Sequence, residues 1–219
     1  MKSYIDRYAN RESYFSDFLY YNRYFKNELQ PSEGGGKENL LYSILEIGCS
    51  IGHHMQYFAD RKIGLDIDFS ALKQSGYKNL VCADLKNSLP FKEQTFSYID
   101  CQNVIEHISD SYGFMNECRR VLKKGGHLVL TTPNIQKIGF DFYNDYTHIK
   151  PFTSESLLQL AHDVGFKDYK IYYFHKSIPL IKHLYKLKSV KMETILLLQN
   201  ILYNLTFRDN KTLVLIATK

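Results

Sequence analysis

The sequence predicts an α/β protein in which a mostly parallel, doubly wound sheet carries helices on both faces. Two observations predict this fold class. The chain has 219 residues, of which 44% are hydrophobic and 23% charged, and both values are ordinary for one globular domain. Between residues 40 and 174, strand-like and helix-like segments alternate, which is the pattern of consecutive strand–helix–strand units.

The predicted elements follow in a regular order. Strands are predicted near residues 42–47, 63–67, 79–83, 96–101, 127–132 and 168–174, and the final segment KTLVLIATK predicts one more. Helices are predicted between them, for example at residues 52–61, 111–122 and 154–164. Thr153 or Ser154 is expected to cap the helix at 154–164, and Gly165 is expected to end it.

Two segments fall outside this alternation. Residues 1–30 carry aromatic side chains at helical spacing, which predicts an N-terminal helical cap, and residues 31–39 (PSEGGGKEN) predict a flexible linker. Residues 40–219 are expected to form the main domain, with a helical insertion at residues 176–207 before the last strand. The insertion is rich in lysine and apolar residues, so it suits a lid, a homodimer face or a basic helix lying on an anionic membrane.

Charge and cysteine content bound the partners and the compartment. The net charge of +5 and the pI near 8.8 are compatible with phosphate-bearing or acidic partners, but no nucleic-acid-binding module is visible. The first residues lack the apolar core of a signal peptide, and no apolar run has the length of a membrane span. The four cysteines form no CxxC pair, which indicates reduced thiols. A cytoplasmic protein is therefore expected, with peripheral membrane contact through residues 176–207 left open.

The segment ILEIGCSIGHH, residues 44–54, is the first functional signal. An apolar strand ends near Glu46, and the small residues Gly48, Ser50 and Gly52 follow. Small residues let the backbone turn tightly and approach a ligand at the carboxyl end of the strand, where such sheets bind ligands. A dinucleotide site would favour a third glycine in place of Ser50, and Glu46 suits a cation better than a diphosphate.

Two later acids strengthen this signal. IGLDID ends the second predicted strand at Asp66, where a carboxylate can accept both hydroxyls of a ribose. The third strand ends at Asp84 in CADLKNSLPF, where a carboxylate can accept from the exocyclic amine of an adenine. Together with the glycine turn, these spacings predict a site for a nucleoside-bearing cofactor.

The ordered motifs LEIGCSIG, GLDID, CADLKNSLPF, TFSYIDCQNVIEH and RVLKKGGHLVLTTPN resemble those of the class I S-adenosylmethionine-dependent methyltransferases. The resemblance spans roughly residues 40–175. It implies a Rossmann-like, seven-stranded sheet with its last strand antiparallel, and S-adenosylmethionine as cofactor. The cofactor-binding residues that it implies are Glu46, Gly48, Cys49, Ser50, Gly52, Asp66, Ile67, Asp84, Leu85 and Asn103.

Glu106, His107 and His148 are the candidate catalytic residues, because they follow neighbouring strands of the predicted sheet. Three interpretations stay open. The residues are structural, or a histidine is a general base for a hydroxyl, or the three bind a divalent metal. The Glu-His pair and the later histidine also resemble the small-RNA 3′-terminal 2′-O-methyltransferases, although Asn103 stands where those enzymes have a glutamate. The metal is the least favoured of the three interpretations.

The sequence therefore predicts an O-methyltransferase that acts on a hydroxyl of a small molecule, sugar or glycan. Two alternatives remain: an enzyme that methylates RNA ribose, and a non-catalytic partner protein with the same fold. Asp66 and Asp84 argue against the non-catalytic alternative, and measured cofactor affinity would discriminate between the two.

Overall fold

A computed structural model of the chain describes residues 43–52, 54–57, 62–86, 88–174 and 210–219, together with the single residue Thr194. The predicted cap at residues 1–30 and the linker at 31–39 lie outside the described residues. So does the predicted insertion at 176–207, apart from Thr194.

Seven strands form one mixed sheet. They are β1 (Ile44–Ile47), β2 (Lys62–Asp66), β3 (Leu80–Cys82), β4 (Phe96–Gln102), β5 (Leu122–Pro133), β6 (Asp168–Phe174) and β7 (Thr212–Thr218). Their order in the sheet is β3-β2-β1-β4-β5-β7-β6. The first five strands are parallel, and β7 runs antiparallel to both β5 and β6. This confirms the predicted seven-stranded sheet with an antiparallel last strand.

The helices lie between the strands, as predicted. They are α1 (Phe69–Gln74), α2 (Ser111–Val121), α3 (Ile135–Ile138) and α4 (Ser154–Val164), with short 3₁₀ turns at His54–Tyr57, Ile105–His107 and Gly139–Asn144. Thr153 caps α4 by accepting from the backbone N–H of Ser156, and Gly165 ends it with a φ of 89°. Within the residues that the model covers, none of the helices has the length and apolarity needed to cross a membrane.

Two element boundaries differ from the sequence prediction. Strand β5 begins at Leu122, not near residue 127, because Leu122 already pairs with Phe96 before an irregularity in the β4–β5 register. The helix predicted at residues 52–61 is described only as the 3₁₀ turn His54–Tyr57, and residues 58–61 lie outside the described part of the chain.

The hydrophobic core lies on one face of the sheet. Leu45 and Ile47 of β1 and Ile99 and Cys101 of β4 are buried there, and helices α2 and α4 contribute their apolar stripes. Burial of these stripes, rather than helix propensity alone, holds the two helices on the sheet.

The opposite face of the same strands is polar near their carboxyl ends. Glu46 of β1 lies in register with Gly64 of β2 and Asp100 of β4. Because paired residues of parallel strands project to the same side, Glu46 and Asp100 are neighbours on this face. A polar region therefore lies beneath the turn that follows β1.

Candidate functional site

The turn after β1 is held in an unusual backbone conformation. Gly48, Ser50 and Gly52 all have positive φ, at 76°, 50° and 83° respectively. A side chain at residue 48 would collide with the Val104 side chain, so only glycine fits there. Ser50 has no such clash, but it pays the cost that any non-glycine residue pays in the left-handed region.

Asp66, at the end of β2, stabilises this turn. One of its carboxylate oxygens accepts from the backbone N–H of Ser50 at 2.7 Å, and the other accepts from the N–H of Asp68 at 2.8 Å. The carbonyl of Leu65 accepts from the N–H groups of Gly48 and Cys49 at 2.8 and 3.1 Å. The charged bond from Asp66 supports Ser50 in its strained conformation.

The other candidate cofactor-binding residues lie at the carboxyl ends of adjacent strands. Ile67 is 62% exposed just beyond β2. Asp84 and Leu85 are half-buried beyond β3, and an Asp84 oxygen accepts from the N–H of Lys86 at 2.9 Å. Asn103 is exposed, and has a φ of 51° beyond β4.

Cys49 differs from its neighbours in the direction of its side chain. The thiol is buried against Gly64 of β2. A Cβ atom added at Gly64 would lie only 2.7 Å from the Sγ of Cys49. Burial also raises the pKa of this thiol. Any contact between Cys49 and a ligand in the turn would therefore come from its backbone.

Glu46, His54 and Asp100 form a cluster beneath the turn. Their potential ligand atoms all lie within 4.8 Å of one another. Glu46 and Asp100 are only 4% and 0% exposed, and Nδ1 of His54 lies 3.6 Å from Oε1 of Glu46. The pKa of Glu46 is raised to about 8, mainly by burial; His54 opposes this rise, and the neighbouring Asp100 adds to it.

Glu106, His107 and His148 form a second cluster, at the carboxyl ends of β4 and β5. Their potential ligand atoms also lie within 4.8 Å of one another, and the two imidazole rings are 4.8 Å apart between centroids. The structure thus brings together the three residues that the sequence selected as catalytic candidates.

Hydrogen bonds to backbone carbonyls fix both imidazoles. Nδ1 of His107 lies 3.0 Å from the carbonyl oxygen of Thr147, and Nδ1 of His148 lies 2.8 Å from that of Phe142. A carbonyl oxygen only accepts, so each Nδ1 carries the proton. In the neutral rings, each Nε2 therefore has a free lone pair to accept a proton or bind a cation.

The buried Glu106 is only partly hydrogen-bonded. The Thr132 hydroxyl donates to its Oε2 at 3.1 Å, whereas Oε1 has no hydrogen-bond partner among the residues that the structure describes. Burial raises the pKa of Glu106 to about 7 and lowers the pKa of His107. This carboxyl group can therefore hold or release a proton near neutral pH.

The loop that carries His148 is attached to the strand that carries Glu106. The backbone N–H groups of Ile149 and Lys150 donate to the carbonyl oxygen of Glu106 at 2.9 and 3.1 Å. Phe142 is fully buried and packs against the His148 ring, with 4.7 Å between the two ring centroids. These contacts explain how residues 42 positions apart in sequence meet at one place.

Large apolar side chains are exposed on the loop that carries His148. Phe140, Tyr143, Tyr146 and Ile149 are 91%, 54%, 86% and 53% exposed. Such side chains are usually buried, and their exposure together is typical of a surface that binds a ligand or partner.

Asp100 and Thr132 contact the two clusters, although no sequence motif predicts either of them as a site residue. Asp100 stands in the otherwise apolar strand YIDC, and a carboxylate in a buried parallel strand is itself a signal. His54 lies two residues after Gly52 in the sequence, but its contact with Glu46 depends on the short 3₁₀ turn at His54–Tyr57.

Comparisons with known proteins concern the domain and the fold. Residues 45–130 match the model of a methyltransferase domain family. The chain is 31% identical over 138 residues to a probable S-adenosylmethionine-dependent methyltransferase of Mycolicibacterium smegmatis, covering 57% of this chain and 51% of that protein. It is 26% identical over 130 residues to malonyl-[acyl-carrier protein] O-methyltransferase 1 of Coxiella burnetii, covering 56% and 43%. The chain thus spans about half the length of these curated relatives.

A solved structure shares the fold over nearly the whole chain. It is an S-adenosylmethionine-dependent methyltransferase from Archaeoglobus fulgidus, with a TM-score of 0.66, 22% identity and coverage of 99% of this chain and 98% of that one. At this identity, the likeness concerns the fold alone.

Proposed function

Because the chain belongs to the class I S-adenosylmethionine-dependent methyltransferases, we propose that it methylates a hydroxyl group of a small molecule, sugar or glycan. The observation that carries this proposal is the convergence of Glu106, His107 and His148 at the same edge of the sheet as the glycine turn. The Coxiella relative, named as an O-methyltransferase, supports a hydroxyl or carboxyl oxygen as the acceptor atom.

The residues around the turn fit the cofactor. Gly48 offers bare backbone, and Asp66 shapes the turn while keeping further lone pairs for the ribose hydroxyls. Asp84 and Ile67 would flank the adenine. Oε2 of Glu46 is buried and has no hydrogen-bond partner among the described residues, so it requires a donor that a ligand can supply.

The bound cofactor supplies an electrophilic methyl group on a sulfonium, which an oxygen nucleophile displaces in line. The protein must therefore orient the acceptor and take the proton from its hydroxyl group. His148 fits the second task, because its Nε2 has a free lone pair and its Nδ1–H is fixed by the Phe142 carbonyl. His107 adds a second free Nε2 beside it.

The same geometry supports a second role, as ligands of a divalent cation. One carboxylate and two imidazoles suit several divalent metals, and the hydrogen-bonded Nδ1 groups would orient both rings. The unpartnered Oε1 of Glu106 favours this alternative over a purely structural role.

The exposed aromatic side chains indicate the kind of acceptor. Phe140, Tyr143 and Tyr146 offer exposed aromatic faces on the loop that carries His148, against which a sugar ring or an aromatic ring can pack. This favours a small-molecule or glycan acceptor over RNA ribose, for which no binding module is visible in the sequence.

The proposal includes a cytoplasmic location, which the cysteines support. All four lie within the described residues, and none forms a disulfide. Peripheral membrane contact or a homodimer through residues 176–207 belongs to the proposal as well, but that segment lies outside the described residues apart from Thr194.

The test is calorimetric binding of S-adenosylmethionine, followed by a methyl-transfer screen over phenol, sugar and RNA acceptors. Failure of the native protein to bind the cofactor would contradict the proposed methyltransferase activity. With the acceptor found, His148→Ala should lower turnover by roughly 10²–10⁴-fold and leave cofactor affinity nearly unchanged. His162→Ala is the matched control, because His162 is exposed on α4 and its imidazole contacts Tyr169.

Chelation separates the two roles of the cluster. If the cluster acts through a cation, chelators should abolish turnover, added Mn²⁺ should restore it, and Glu106→Gln should be as harmful as His148→Ala. If His148 acts alone as a base, chelation should have no effect. Native turnover in His148→Ala would contradict both roles.

A further inference from the structure

Asn134, the first residue after β5, is 2% exposed, and each of its polar atoms is hydrogen-bonded. Its backbone N–H donates to the carbonyl oxygen of Lys211 at 2.8 Å, and its own carbonyl oxygen accepts from two N–H groups of α3. The side-chain oxygen accepts from the N–H of Gln136 at 3.2 Å, and Nδ2 donates to the carbonyl oxygen of Asn210 at 3.0 Å. Asn134 thus joins the start of α3 to the segment that leads into β7.

Asn134 also closes the loop that carries His148. Residues 135–152 leave the sheet after Asn134 and return to it at Phe152, which forms a parallel bridge with Asn134. The N–H of Ile135 donates to the carbonyl oxygen of Phe152 at 3.1 Å. Both ends of the loop therefore lie at Asn134.

His148 is attached to both halves of this loop. Its Nδ1 donates to the carbonyl oxygen of Phe142, in the first half, at 2.8 Å. The backbone of the second half is fixed by the N–H of Ile149, which donates to the carbonyl oxygen of Glu106 at 2.9 Å. The orientation of the imidazole therefore depends on where the first half lies relative to the second. Helix α3 has only four residues and is too short to be stable alone, so the first half depends on its anchor at Asn134.

We propose that Asn134 is a positioning residue for His148. Its carboxamide ties the start of the loop to the segment before β7, and thereby holds the Phe142 carbonyl where it accepts from the imidazole. The inference rests on the proposed function, because it is there that His148 receives a part in methyl transfer. Asn134 touches neither the acceptor nor the cofactor in this role and acts through the loop.

The experiment compares Asn134→Ser with Asn144→Ser in the full chain. A serine at residue 134 can still cap α3 by accepting from the N–H of Gln136, but it has no Nδ2 to donate to Asn210. Asn144 is exposed on the same loop, where its Nδ2 donates to Asp141. The same substitution at Asn144 is therefore the matched control.

The first readout is the exchange of the His148 Nδ1–H proton with water, followed by NMR and assigned by the absence of the signal in His148→Ala. Asn134→Ser should speed this exchange by roughly three- to tenfold, as expected for the loss of one hydrogen bond that holds the loop, whereas Asn144→Ser should leave it unchanged. The second readout is kcat with the phenol or sugar acceptor that has the highest turnover in the screen. In Asn134→Ser, kcat should fall by a similar factor, while the affinity for S-adenosylhomocysteine stays unchanged.

Faster exchange of the ring proton in Asn134→Ser, with unchanged affinity for S-adenosylhomocysteine, would support the inference. Unchanged exchange, or an equal acceleration in Asn144→Ser, would overturn it. A loss of S-adenosylhomocysteine affinity as large as the loss of turnover would also overturn it, because Asn134 would then support the fold as a whole.

If Asn134→Ser does not fold, Asn134→Asp takes its place under the same criteria, because aspartate keeps the volume and the capping oxygen but lacks the donor. If the native protein methylates no acceptor in the screen, the proposed function fails, whereas the exchange of the ring proton still decides whether Asn134 positions His148.

Discussion

Cofactor binding should release a proton from Glu46. Burial and Asp100 raise the pKa of Glu46 to about 8 in the free protein. At pH 7, about nine in ten of these side chains are therefore protonated. A cationic group bound against Glu46 favours the ionised form, so the proton should leave when the ligand enters.

Burial is the main cause of the raised pKa of Glu46, and the charged groups around the side chain adjust it. They are His54, Asp100, Asp66 and Lys62. With a free-state pKa of about 8, release should be close to one proton at pH 7 and should decline as the pH rises above 8.

The assay is calorimetry of S-adenosylhomocysteine binding at one pH in two buffers with different ionisation enthalpies. The difference in binding enthalpy gives the number of protons released. Glu46→Gln should abolish the release, whereas Glu117→Gln should not, because Glu117 pairs with Arg120 on α2 and its pKa is lowered by that pair. Binding without proton exchange in the native protein, or release that persists in Glu46→Gln, would refute the reasoning.

Three further predictions concern stability. Folding raises the pKa of Glu46 from 4.5 to about 8, so the free energy of unfolding should fall as the pH rises from about 5 to 8. Urea titrations of Glu46→Gln should show up to about 5 kcal/mol less of this fall than the native protein. Ser50→Gly should stabilise the protein by about 0.5–1 kcal/mol by relieving a φ of 50°, seen as a rise in Tm of about 2 °C. Gly48→Ala should cost about 2–4 kcal/mol in the same titrations, because its Cβ would collide with Val104 at a φ of 76°. The first prediction would be contradicted by a native stability that does not change with pH. The second would be contradicted by an unchanged Tm in Ser50→Gly, and the third by a Gly48→Ala variant as stable as the native protein.

The strands could be predicted from the sequence because each is a short apolar run bounded by turn residues. The start of β5 could not, because it depends on one early pair between Phe96 and Leu122 and on the irregular register that follows. The local sequence pattern predicts that a strand forms, whereas the residues at which it begins and ends depend on pairing with the neighbouring strand.

The same limit applies to the sites. Glu106, His107 and His148 could be selected because each follows a strand end, and strand ends of a parallel sheet share an edge. Asp100 could not be paired with Glu46, because their contact depends on the β1–β4 register, which no local pattern contains. The direction of the Cys49 thiol was hidden for a similar reason, since it depends on the space left by Gly64 in the next strand.

The attachment of the His148 loop to Glu106 has a consequence for engineering. The bonds from Ile149 and Lys150 to the Glu106 carbonyl, with the buried Phe142, fix the end of the loop independently of its outward-facing side chains. Phe140 and Tyr146 can then be exchanged as a cassette while His148 keeps its place. Under the proposed function, acceptor preference and reactivity would be separable, and a library restricted to the exposed residues of this loop should change the acceptor without changing the chemistry.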